Sequence, residues 1–190
     1  MKKLSGGLIA LIVILGVVLL LGSMAFGGYN NLATAREAVD TSQATIDTQL
    51  QRRADLIPNL VSTVKGFAAQ EQSVINSVTQ ARAQLTGAQT MAEKADADAA
   101  LSGALSRLLV VVENYPELKS DATFTALMDE LSGTENRIAV SRNDYNAAVQ
   151  SYNNRIVTFP GRLFAGMLGF EKAEYFTASA GAQEVPQVTF

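Results

Sequence analysis

The side chains that could do chemistry in this 190-residue chain are acids, amines, guanidiniums and hydroxyls, because it contains no Cys and no His. Cys nucleophiles, His general bases and Ser-His-Asp triads are therefore excluded, as is zinc in its usual Cys/His coordination. Ser62-Thr63-Val64-Lys65 fits the S-x-x-K pattern of acyl enzymes. Two fixed positions in four recur by chance, however, and the companion motifs are absent. Neither common type of phosphate-binding glycine loop is present. What remains is a set of charges at helix-core spacing: Arg53, Glu71, Glu135 and Arg142, with Arg82 beside Ala81. Carboxylates on facing helices can hold two metals, but such sites also use Glu-x-x-His. Here the acids are matched by arginines, so the expected arrangement is a buried or half-buried ion-pair network that fixes helix register. At least two of Arg53, Glu71, Glu135 and Arg142 are expected to form interhelical ion pairs. Tyr-Asn occurs at Tyr29-Asn30, Tyr145-Asn146 and Tyr152-Asn153. Amphipathic packing, with rings buried and amides at a helix edge, is the expected reading, ahead of ligand binding. No catalytic, metal-ligating or cofactor-binding residue is assigned, and no cofactor is expected.

These residues need helices to position them. The body is rich in Ala, Gln, Leu and Glu, which favour helix. Its apolar residues recur every seven: Leu32, Val39, Ile46, then Arg53, then Leu60, Phe67, Val74, Ala81. A companion series runs Leu50, Ile57, Val64, Glu71, Val78, Leu85, and the beat returns at Phe124, Leu131, Ile138, Tyr145, Tyr152, Phe159. Such spacing lays one stripe along each helix and favours left-handed, coiled-coil-like packing. Four helices are expected, roughly Tyr29–Ala54, Leu56–Ala88, Met91–Glu113 and Ser120–Thr158. Asp55 is suited to cap the second, and Pro58 falls in its first turn. The alternative at that junction is one long helix kinked at Pro58, since no Gly interrupts Arg52–Pro58 and the heptad phase survives it.

Before the body lies an uncharged stretch, Gly6–Gly28, long enough to meet the roughly 20 residues a helix needs to cross a bilayer. No charge falls between Leu4 and Ala35. Ser23-Met24-Ala25 resembles a signal-peptide cleavage site, but the length of the stretch and its flanks favour an uncleaved anchor through residues 6–28. Lys2 and Lys3 precede it, and Arg36 is offset by Glu37, so the positive-inside rule puts the N-terminus in the cytoplasm and the helical domain outside, periplasmic or extracellular. Gly6/Ala10 and Ser23/Gly27 are small-x-x-x-small pairs that would permit close approach of a second span. The whole chain carries 15 basic and 18 acidic residues. The body alone is more acidic still, which argues against nucleic acid as a partner. The expected organisation is 1–28 stub and transmembrane helix, 29–159 antiparallel four-helix bundle, and 160–190 apolar segment and extended tail.

Phe159–Phe170 is too short to span a bilayer and too apolar for an ordinary exposed tail. In an up-and-down bundle it would return beside the start of the first helix, with Tyr152-Asn153-Asn154 near Tyr29-Asn30-Asn31. There it could lie at the lipid interface, fill a groove on a second copy, or cap its own bundle. A continuous rod through Pro58 would instead carry it away. Gly181 and Pro186 argue against a stable helix in the tail beyond it.

The sequence resembles the LemA family of bacterial membrane proteins. The likeness rests on Gln51–Val61 (QRRADLIPNLV) with Val64-Lys65-Gly66, on Glu71 and Thr79–Ala83, on Glu113–Leu118 (ENYPEL), and on Glu135–Arg142 (ENRIAVSR) with Tyr145-Asn146. Tyr152-Asn153, Phe159-Pro160, Gly169-Phe170 and Tyr175-Phe176 continue it in order to the C-terminus. Gln70 stands where the family pattern would have His. The resemblance implies an all-α protein, a four-helix bundle behind one N-terminal membrane helix, and supplies no reaction. The function expected is a non-enzymatic, membrane-anchored envelope scaffold that self-associates into a homo-oligomer. The alternative is a tethered module that recruits another, unidentified membrane protein.

Overall fold

A computed structural model of the protein describes residues 6–177. It is all-α, with no strand among the described residues: α1 Gly6–Phe67, α2 Gln72–Gly87, α3 Met91–Val112, the single turn α4 Pro116–Lys119, α5 Ala122–Val157 and the single turn α6 Gly161–Phe164. The chain forms two compact units. One is built from the chain up to Thr41 with Ala147–Ala173, the other from Ser42–Asn146 with the chain from Glu174 on. The long helices α1 and α5 each contribute to both.

The second unit is the bundle the heptads call for. Ile46, Leu50, Ile57, Leu60 and Val64 of α1 are buried, with Val78 and Leu85 of α2, Leu101 and Leu108 of α3, Leu118 of α4, and Leu131 and Ile138 of α5. Each such side chain contributes about 1.5–3 kcal/mol by leaving water. The expected break between Ala54 and Leu56 is absent, and the expected helix Leu56–Ala88 is divided instead. α1 runs through Pro58 for 62 residues. A proline inside a helix removes the N–H that would have bonded the carbonyl four residues earlier, here that of Ala54. That carbonyl accepts instead from Nε of Arg82 on α2, at 2.9 Å. A neighbouring helix thus supplies the donor that Pro58 lacks. The chain reverses at Ala68–Glu71, just beyond Gly66, and Val64, Glu71 and Val78 keep their seven-residue phase across the turn, so periodicity alone could not place it. α3 and α5 fall where expected. Thr90 and Glu93 form a reciprocal capping box at the start of α3. The backbone N–H groups of Thr90 and Gln89 hold the Glu93 carboxyl below its ordinary range. The N–H of Phe124 donates to Asp121 at the start of α5.

In the first unit, the large apolar side chains of α1 between Leu11 and Leu21 are all more than half exposed. This is the one stretch among the described residues long and apolar enough to cross a membrane. Beyond it Leu32, Ala35 and Val39 turn inward, with Val149 and Tyr152 of α5. Arg155 near the end of α5 donates to the backbone and side-chain oxygens of Asn31. A pocket joins Gly28 and Leu32 to Phe159 and Gly161. The end of α5 therefore does return to the start of the body. The expectation that an unbroken rod through Pro58 would carry it away is corrected. The reversal was displaced to Ala68–Glu71, not lost, and the number of direction changes is the same. The turn into α6 depends on Gly161, where a Cβ would overlap the Arg155 carbonyl oxygen. The remaining tail beyond residue 177, including Gly181 and Pro186, and the flanking Lys2 and Lys3 lie outside the described residues.

Candidate functional site

Among the charges singled out by spacing, Arg53 is the most deeply placed, with its side chain 4% exposed. α1 delivers it to the bundle interior in phase with Ile46 and Leu60. Its Nη1 meets Asp98 of α3 and, at 2.6 Å, Glu135 of α5, and Nη2 donates to Ser102 one turn beyond Asp98 at 2.9 Å. One guanidinium thus ties three helices. The expectation of at least two of the four charges in an interhelical ion pair is met by Arg53 and Glu135. Two acids share one cation here, and burial pushes the Asp98 carboxyl above its ordinary range although Arg53 opposes the shift.

The other members are drawn elsewhere. Glu71 accepts from the Tyr115 hydroxyl at 2.9 Å, and this bond raises the phenol above its usual value. Arg142 lies 4.7 Å over the ring of Phe176. Arg82 serves Ala54, as above. Glu71 and Glu135 therefore have different partners, and no group of three or more acids that could hold a metal gathers among the described residues. Recesses beside Lys94 and beside Arg53 measure about 170 and 230 Å³, below the roughly 300–1,000 Å³ of small-molecule sites. Two wider grooves, beside Gln84 and Asp96 and beside Arg52 and Asp55, measure about 650 and 660 Å³ and are lined mainly by exposed side chains. Ser62 and Lys65 are both exposed on α1.

The Tyr-Asn pairs do more than pack. Two of the three rings are buried as expected, Tyr145 and Tyr152, whereas Tyr29 is 47% exposed; the polar atoms of the two buried pairs hold the tail. In the first unit the Tyr152 hydroxyl donates to the carbonyl of Glu171 at 2.8 Å. The Asn153 amide both donates to the carbonyl and accepts from the N–H of Ala173, each at 2.9 Å. In the second unit Tyr145 donates to the Glu174 carbonyl at 2.8 Å. Asn146 donates to the Phe176 carbonyl at 3.1 Å and accepts from its N–H at 2.9 Å. The two pairs lie seven residues apart on α5, about 10.5 Å of helix. Their targets lie three residues apart on the tail, about 10 Å of extended chain. The two spacings match, so one repeat on the helix reads one repeat on the tail. Every tail atom held this way is main chain.

Sequence reasoning missed two participants. Asp98 sits in the run Lys94-Ala95-Asp96-Ala97-Asp98 and reads as solvent-facing. The signal was Met91, Asp98, Leu105, Val112, a seven-residue series with one acid in it. The tail carbonyls carry no side-chain signature at all.

Over residues 42–190 the chain matches the family model described as the LemA family. Relatives include the magnetosome protein MamQ 2 of Paramagnetospirillum magneticum, 32% identical over 187 residues, with 85% of this chain and 68% of that protein covered. The magnetosome protein MamQ of Magnetospirillum gryphiswaldense is 30% identical over 174 residues, covering 78% and 64%. Protein LemA of Metamycoplasma hominis is 22% identical over 182 residues, covering 94% and 83%. None of these names denotes a reaction. The matched stretch holds Arg53, Pro58, Arg82 and both Tyr-Asn pairs that grip the tail, and on that match the chain belongs to the LemA family.

Proposed function

We propose that the protein is a non-enzymatic, membrane-anchored scaffold of the cell envelope that self-associates through its helical surfaces. The observation that carries this reading is where the reactive side chains go. Arg53, Arg82, Glu71 and Arg142 each have an internal partner, whereas Leu109 and Val110 of α3 and Val140 of α5 stay exposed, Val110 at 71%. Exposed aliphatic residues on rigid helices suit helix-to-helix docking. An anchor that confines copies to a plane raises their effective concentration, so even weak contacts assemble. The span would run from a cytoplasmic N-terminus to a body outside, in line with Lys2 and Lys3 before it.

The mass of the full chain in mild detergent, by light scattering or native mass spectrometry, tests the proposal. A discrete homo-oligomer that dissociates in Val110→Glu with Val140→Glu is the expected result. A monomer at all concentrations overturns it. The second reading is a tethered module, in which the body recruits another membrane protein. A monomer that co-purifies with one stoichiometric partner would select that reading.

A further inference from the structure

We propose that α6 and the turns flanking it form a second membrane contact, with Phe159, Leu163, Met167 and Leu168 inserted at the boundary between headgroups and acyl chains. This rests on the reading that the apolar part of α1 crosses a bilayer. The segment has two faces. Its inner face is fixed to α1: Gly161 and Ala165 are buried, Phe164 closes on Gly28, where a Cβ would lie 3.3 Å from the ring, and Phe170 meets the ring of Tyr29 at 5.8 Å. Its outer face is apolar and uncovered, with Phe159 72% exposed, Leu163 58%, Met167 86% and Leu168 42%. Phe26, just before the docking point on α1, is 74% exposed.

Depth selects lipid as the occupant. Val17 is the midpoint of the uncharged stretch Gly6–Gly28, and Gly28 lies roughly 16 Å further along the helix. Half the hydrocarbon thickness is about 15 Å. Phe164 therefore holds α6 at the level where the hydrocarbon ends. Charge agrees: from Tyr145 to Phe170 the only charged residues are Arg155 and Arg162, both cations, in a chain that is acidic as a whole. A short apolar face beside exposed arginines is the composition of an interfacial segment on anionic headgroups. Like the span, this face is apolar and uncovered, with Phe26 74% exposed between the two.

The chain has no Cys, so single probes can be placed at will. Leu163→Cys, Met167→Cys, Val17→Cys and Val110→Cys, each carrying a polarity-sensitive fluorophore, would be reconstituted as the full chain into phosphatidylcholine–phosphatidylglycerol vesicles with and without lipids brominated on the acyl chain. Positions 163 and 167 should emit to the blue and be quenched by brominated lipid, since an interfacial segment reaches the acyl boundary. Position 17 should be quenched as well, and position 110 should not. Quenching at 17 but not at 163 or 167 overturns the proposal. So does a blue shift at 163 that brominated lipid leaves untouched and that grows with protein-to-lipid ratio, which would assign the face to a second copy. No quenching at 17 would overturn the spanning reading itself, and the second contact with it.

Discussion

Arg82 and Pro58 should be energetically coupled across the gap between α2 and α1. The Ala54 carbonyl has lost its helical donor to Pro58 and accepts from Arg82 Nε at 2.9 Å. Replacing Arg82 by Met keeps most of the apolar stem and removes the donor. A carbonyl left without a partner in a half-buried setting costs about 1–3 kcal/mol, and partial exposure of Arg82 places the expectation toward the lower half. In a Pro58→Ala background the backbone N–H regained at position 58 returns to the Ala54 carbonyl, so Arg82→Met should then cost a few tenths of a kcal/mol. The coupling from the double-mutant cycle is thus about 1 kcal/mol, within the range found for residues in contact. Pro58→Ala alone should stabilise, by less than the roughly 3 kcal/mol ascribed to a proline inside a helix, because the native chain has already regained the carbonyl's partner. Denaturant unfolding of the full chain in mild detergent, followed by helical circular dichroism, reads all four corners of the cycle. Equal costs of Arg82→Met in the two backgrounds would refute the compensation and make Arg82 an ordinary packing residue.

Arg53→Met should destabilise by about 3–5 kcal/mol at neutral pH, because Asp98 is then buried without its cation. Burial already raises the Asp98 pKa above 3.8, and losing Arg53 raises it further. The folded state then holds this proton more tightly than the unfolded state, so the penalty shrinks as pH falls through the folded value toward 3.8; thermal melts between about pH 7 and 4 check the sign. Gly161→Ala cannot be accommodated without moving Arg155, given the overlap with its carbonyl oxygen. It should shift proteolysis to the Phe159–Phe170 segment in limited digests while leaving the Ser42–Asn146 core resistant. Asn146→Ala removes two hydrogen bonds to the Phe176 backbone. It should speed amide exchange there about tenfold or more, with little change in exchange at Val78.

Much of the fold was legible because it is written in side chains with a period. Leu32, Val39, Ile46, Arg53 and Leu60 recur every seven residues and are all buried, and Arg53 could be placed inside the bundle from that beat alone. The break in the first half of the chain was not legible, because the turn at Ala68–Glu71 happens to conserve phase. Pro58 looked like a helix start because the donor that excuses it, Arg82, lies 28 residues from Ala54 on another helix. Asp98 was hidden by its neighbours Asp96 and Glu93, which look the same in sequence and lie exposed on the same helix. The role of the Tyr-Asn pairs was illegible for a deeper reason: their partners are main-chain atoms, which every residue possesses.

That same indifference leaves the tail with a choice of frames. Sliding it by three residues would set Ala173 opposite Asn146 and Phe170 opposite Asn153. Asn146 would again find one carbonyl and one N–H, as on a vernier, whereas the N–H of Phe170 is already given to the Ala165 carbonyl at 2.9 Å. That one bond aside, hydrogen bonding cannot distinguish the native alignment from the slipped one. Phe176 can: its side chain is 2% exposed beneath the Arg142 guanidinium, and a slipped tail would put a methyl group in the space of a benzyl ring. Alignment with a repeating partner is set by whichever element breaks the repeat, and here that element is a single ring.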